Sequence, residues 1–143
     1  MNGVIADINF VGQLKAIIRF LEHSDVADIW ERLSLKISTF QEIGLNAKDS
    51  DRIVWNRCQQ FKLVLITENR NNDGVDSLQA TIADSNLPHS LPVITVASAV
   101  RVMNDRDYGE LIARGLLDYL FDIREYPELL LGTGRQFLPK PRT

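Results

Sequence analysis

Three stretches of the chain offer side-chain oxygens that could hold a cation or handle a phosphate. Asp7 and Asn9 stand at the end of an apolar run, Asp51 opens a helical segment, and Asn69, Asn71, Asp73 and Asp76 follow the apolar run at 63–66. Carboxylates gathered together repel unless a cation joins them, and hard ions such as Mg²⁺ or Mn²⁺ prefer oxygen ligands. Such an ion could hold a phosphodiester, lower the pKa of an attacking water and offset charge on the leaving oxygen. This is the chemistry of a metal-dependent nuclease. Arg70, within the same polar stretch, suits a phosphate contact.

Each residue also has a plainer use. Asp51 favours a helix N-terminus by its charge alone. Asn71, Asn72, Asp73 and Gly74 are ordinary turn chemistry, and Asp76 or Ser77 can cap the helix that follows. Asp7 is different, because an acid inside an apolar strand is costly to bury without a partner. Other candidates carry less. His23 and His89 have no partner at metal-ligand or triad spacing, and no serine sits in a nucleophile-elbow context. Gly132-Thr133-Gly134-Arg135 looks superficially like a phosphate cradle but lacks the Lys-Ser/Thr of a P-loop. Trp30, Trp55 and Cys58 share apolar helical faces and read as core.

Periodicity supplies the elements that must position these groups. Residues 4–8, 35–39, 62–67 and 91–97 read as short strands. Helical period runs through 11–22, where Val11, Leu14, Ile17, Ile18 and Leu21 form one stripe. Further helices are expected over 25–33, 51–60 (capped by Asp49 or Ser50), 78–84 and 105–121. Alternating strands and helices imply crossovers and a central, mostly parallel sheet of about four strands between two helical layers, an α/β three-layer sandwich. Parallel sheets place ligands at the carboxyl ends of their strands, which gives Asp7, Asp51 and the residues after 67 a common address.

A length of 143 residues fits one domain, and 45% apolar with 24% charged residues is an ordinary globular composition. The net charge of −3 provides no general attraction to nucleic acid or an anionic membrane, so phosphate binding must be local or metal-assisted. With Cys58 alone, no intrachain disulfide can form. No basic leader or spanning apolar stretch is evident, so a cytoplasmic protein without membrane association is expected. The α/β domain is expected over residues 1–126. Residues 127–143 form an extended tail whose Leu129, Leu130, Leu131, Phe137 and Leu138 should pack on the domain or across a homodimer interface.

The order of motifs resembles the PIN-like superfamily, in particular small bacterial PIN-like proteins related to the Mut-seven carboxy-terminal domain and to VapC-type toxins. The resemblance rests on Asp7-Ile8-Asn9 after the first strand, Gly44-Leu45 before Ser50-Asp51, and Leu63-Val64-Leu65-Ile66-Thr67 running into Glu68-Asn69-Arg70-Asn71. It extends from Val4 to about Val96 and implies a PIN-like fold with a Mg²⁺- or Mn²⁺-binding pocket. The implied activity is a ribonuclease acting on single-stranded or structured RNA, and the likeness to VapC-type toxins implies a toxin paired with an antitoxin protein. On this basis Asp7, Asp51 and Asp76 are expected to be catalytic, and Asp7, Asp51 and Asn69 to hold the metal. Asn9, Thr67, Arg70, Asn71 and Ser77 would contact substrate. The family pattern Thr-x-Asp-x-Asp is met here with Asn69 and Asn71 at both acidic positions; neutral amides bind Mg²⁺ more weakly than carboxylates, so Glu68, Asp73 or Asp76 would have to supply the missing charge. The alternative is therefore a catalytically weakened module that binds RNA or protein. A receiver-like or nucleotide-binding domain is a third reading, with Asp7 as a phosphate-handling acid.

Overall fold

The computed structural model describes residues 1–69 and 74–141. Among these residues, five short strands form one all-parallel sheet: β1 (Gly3–Ala6), β2 (Lys36–Ser38), β3 (Leu63–Thr67), β4 (Val93–Val96) and β5 (Arg135–Leu138), in the order β2-β1-β3-β4-β5. The helices are α1 (Val11–Glu22), α2 (Ala27–Leu33), α3 (Asp51–Gln60), α4 (Leu78–Ser85), α5 (Ala99–Asn104), α6 (Arg106–Glu125) and α7 (Pro127–Leu130). None of the described helices is long and apolar enough to cross a membrane.

Strand side chains alternate between the two faces, and the buried residues divide accordingly. Val4, Ala6, Val64, Ile66, Ile94, Val96 and Leu138 join Leu14 and Ile17 of α1, Val102 of α5 and Ile112, Leu116 and Leu120 of α6 in one apolar cluster. Ile5, Leu63, Leu65 and Val93 join Val54, Trp55 and Cys58 of α3 and Leu78 and Ile82 of α4 in another. With helices over both faces, β3 and β4 are buried at every position, which explains their continuous apolar runs.

Sequence reading expects about four strands, and the sheet has a fifth. Residues 127–138, taken from the sequence as part of an extended tail, form α7 and β5, and β5 pairs in parallel with β4 from Val93↔Arg135 to Val96↔Leu138. The turn that delivers β5 depends on glycine. Gly132 and Gly134 have φ of +81° and +83°, and a Cβ on Gly132 would lie 2.8 Å from the Pro88 carbonyl oxygen. The short α5 is also unanticipated. Ser98 begins it by accepting the Arg101 amide hydrogen on Oγ at 3.2 Å.

From β1 the chain moves outward to β2, then returns past β1 to build β3, β4 and β5 in turn. The direction of winding therefore reverses between β1 and β3. In open parallel sheets such a reversal leaves a crevice at the carboxyl ends of the strands.

Candidate functional site

The pairing of Ala6 with Ile66 brings the exits of β1 and β3 side by side. Beyond the last paired residue, the Asp7 amide still donates to the Ile66 carbonyl at 2.9 Å. The Asp7 carboxylate is consequently held next to the buried Thr67. Thr67 Oγ1 donates to Asp7 Oδ2 at 2.8 Å, and the Ile8 amide donates to Asp7 Oδ1 at 2.7 Å. This answers the cost of an acid at a strand end, since the charge is met by two donors.

A hydroxyl has one proton to give and lone pairs to receive. Having donated to Asp7, Thr67 Oγ1 accepts the Asn69 amide at 2.9 Å. The Asn69 side chain continues the chain by donating Nδ2 to Asp51 Oδ2 at 2.9 Å. Asp51 occupies the first turn of α3, where Ser50 Oγ caps the helix by accepting the Ile53 amide at 3.3 Å. The same Asp51 Oδ2 receives the Leu78 amide at 3.1 Å, tying the start of α4 to the start of α3. Residues from three distant parts of the sequence thus form one hydrogen-bonded line, Asp7–Thr67–Asn69–Asp51.

That line borders a cleft of about 360 Å³, lined by Asp7, Asn9, Asp49, Asp51, Thr67, Glu68 and Asn69 with Ile8, Phe10, Phe40, Ala47 and Val54. Among the described lining residues there are acids but no lysine, arginine or histidine. Each acid already accepts a hydrogen bond, Asp49 Oδ2 from the Asn46 amide at 2.9 Å and Glu68 Oε2 from the Ala99 amide at 2.7 Å. The donor set is all oxygen, which fits a hard divalent ion. Among the described residues, however, no three acidic, histidine or cysteine side chains come together as a closed cage. An open site of this kind suits Mg²⁺, which keeps several waters and uses one or two carboxylates. Asp7 and Asp51 are the residues that would hold it.

Of the residues singled out from the sequence, Asp7, Asn9, Asp51, Thr67 and Asn69 line the cleft together. Asp76 and Ser77 are not among its lining residues. Asp76 Oδ1 accepts from Arg52 Nε at 3.0 Å, and the same guanidinium reaches the Val75 carbonyl and Asp84 Oδ2. Asp84 and Asp76 raise the Arg52 pKa above its ordinary value, so this clamp between α3 and α4 stays charged. Ser77 is buried, and its Oγ caps α4 by accepting the Ala80 amide at 3.1 Å. Arg70 and Asn71, together with Asp73, lie outside the described residues.

Asp49 and Arg135 bear on the site although the sequence gives neither a role there, and Glu68, one of the residues that could supply a third acid, lines it as well. Glu68 follows a strand end, where simple alternation aims it away from Asn69, yet it lines the same cleft and holds the first amide of α5. Arg135 comes from β5 and donates Nη1 to the Asn69 carbonyl and to Thr95 Oγ1, both at 2.7 Å. Its neighbours Gly132 and Gly134, both with positive φ, shape the turn that leads into β5. Cys58 lies under the cleft in the α3–α4 cluster. Burial, reinforced by the negative charge of Asp7, pushes its thiol up to about 12, so it is no nucleophile near neutrality. Comparisons of the chain with protein-family models, with curated proteins and with solved structures each gave no match.

Proposed function

We propose that the cleft is the active site of a PIN-like, Mg²⁺- or Mn²⁺-dependent ribonuclease acting on single-stranded or structured RNA. The observation that carries this reading is the hydrogen-bonded line joining Asp7 to Asp51 at the point where the sheet reverses its winding. When bound, a divalent ion supplies a nucleophilic water at neutral pH and charge for the leaving oxygen. Thr67 and the Ile8 amide hold the Asp7 carboxylate in one orientation, and Asn69 with the Leu78 amide holds that of Asp51. Fixing ligands before the reaction removes reorganisation from the chemical step. Asn9, exposed along the cleft, is placed to meet the nucleic-acid backbone.

The experiment is cleavage of labelled single-stranded and hairpin RNA with Mn²⁺ or Mg²⁺, using the parent, Asp7→Asn and Asp51→Asn. Weak cleavage favoured by Mn²⁺ and abolished by either substitution is expected. Cleavage that survives Asp7→Asn would assign the activity elsewhere.

A second reading, RNA or protein binding without cleavage, is favoured by Asn69. Its amide nitrogen points a donor at Asp51 where an acid would ligate a metal. RNA retained in the cleft with no cutting under either ion would establish that reading instead. A role as toxin, paired with a small antitoxin protein, belongs to the ribonuclease reading. It is tested by growth arrest on expression and its relief by the product of the adjacent gene.

A further inference from the structure

We infer that Arg135 is a positioning residue of the cleft, acting through Asn69 to fix the hydrogen bond that orients Asp51; its functional consequence rests on the reading of the cleft given above. Arg135 is the first residue of β5, paired with Val93 near the amino end of β4. Cross-strand partners share a face, so its side chain starts on the face covered by α3 and α4. From there it reaches along the sheet to Thr95 Oγ1 and the Asn69 carbonyl beyond the end of β3. Thr95 is fully buried and Arg135 is half-buried, so the guanidinium reaches inward from the sheet edge.

The consequence follows from what is pinned at Asn69. Its amide donates to Thr67 Oγ1 and its carbonyl accepts from Arg135, so both peptide groups flanking its Cα are held. Fixing both peptide groups fixes φ and ψ, and with them the direction of Cβ. The side chain is then aimed at Asp51 Oδ2, which it meets at 2.9 Å. Releasing the carbonyl would free ψ and let the amide swing from Asp51. A strand remote in sequence and at the far side of β4 thereby sets the orientation of an acid on α3.

The test reads Asn69 directly by ¹⁵N–¹H spectroscopy of its side-chain amide in metal-free protein. Arg135→Met removes the donors and keeps the apolar stem, Arg135→Lys returns a cation, and Gln136→Ala is a control on the same strand. The Asn69 amide pair is expected to move toward solvent-exposed positions in Arg135→Met, to be partly restored in Arg135→Lys and to stay unmoved in Gln136→Ala. Mn²⁺ affinity should fall about tenfold in Arg135→Met, as for loss of a partner that orients a metal ligand. If Arg135→Met does not fold, Thr95→Val removes one acceptor of the same guanidinium nitrogen and should move Asn69 less in the same direction. An Asn69 amide unmoved in a folded Arg135→Met, or in Thr95→Val, overturns the inference. If Asn69 moves as expected while the parent takes up no Mn²⁺, positioning stands and the metal reading fails.

Discussion

Among the described residues, the sheet under α1, α2, α5 and α6 buries a cluster of 25 apolar residues, whereas the face under α3 and α4 buries 12 and ends in the acidic cleft. Buried apolar area stabilises in rough proportion to its extent, so the larger face supplies most of the hydrophobic stabilisation. The smaller face spends its contacts differently. Besides their packing, its α3 and α4 are joined through Asp51, Arg52 and Asp76 by hydrogen bonds to main-chain and charged groups. Substitutions on one face should therefore alter stability with the cleft intact, and on the other should alter the cleft with smaller losses of stability.

The largest separation between the faces should come from Leu120→Ala. Leu120 is fully buried in the larger cluster, and its truncation should cost about 2–5 kcal/mol. Urea denaturation measures the loss. Below the unfolding transition, Mn²⁺ binding and the Asn69 amide signal should match the parent. A folded Leu120→Ala with a displaced Asn69 signal would show that the faces are coupled through the sheet.

Alkali should weaken the smaller face. An unfolded thiol ionises near its ordinary value of 9.0, while native Cys58 stays neutral up to about 12. A pKa raised on folding means that the stabilisation is complete below pH 9 and is lost as pH rises toward 12. The loss over the whole window is on the order of 4 kcal/mol, and about 2 kcal/mol at about pH 10.5. Because other groups titrate there too, the informative quantity is the difference between the parent and Cys58→Ala across the range. A constant difference from neutral pH to about pH 10.5 would remove Cys58 as the source.

Thr67→Val tests the line of hydrogen bonds itself. The exchange keeps the shape of a buried side chain but deprives the Asp7 carboxylate of a donor and the Asn69 amide of an acceptor. A loss of about 1–3 kcal/mol is expected, together with weaker Mn²⁺ binding. Unchanged metal affinity would mean that Asp7 needs no such support.

The same division between packing and polar contacts explains how much could be read from the sequence. Helices α1 and α3 have the limits their patterns indicate, because an apolar stripe marks one and Ser50 with Asp51 starts the other. The convergence of Asp7, Thr67 and Asp51 follows from the parallel-sheet rule, which needs only strand directions. Strand β5 did not stand out, since its four residues follow a glycine turn and precede Pro139, a composition shared with irregular tails. Nor did α5, with six residues too few to show a helical period. The reach of Glu68 to the start of α5 and of Arg135 to Asn69 is not legible in the sequence, because these partners lie 31 and 66 residues away and no local pattern encodes such reach. Asp76 and Ser77 carried two readings each, and only the geometry of Arg52 and of the α4 amides shows what they touch.

Ser77 offers the smallest effect and the sharpest distinction between its two uses. Its hydroxyl accepts the Ala80 amide, its carbonyl accepts the Thr81 amide and hydroxyl, and the residue is buried. Ser77→Ala removes only the first of these, and loss of such a cap should cost about 1 kcal/mol. The Asp51 bond to the Leu78 amide still ties α4 to α3, so the start of the helix should fray without detaching. RNA affinity and Mn²⁺ affinity should then equal those of the parent at temperatures where both proteins are folded. Ser77→Asn, which keeps a capping oxygen, should recover part of the stability. A Ser77→Ala protein of parental stability but weakened RNA binding would reverse the assignment, placing the hydroxyl on the substrate and leaving the α4 amides to other acceptors.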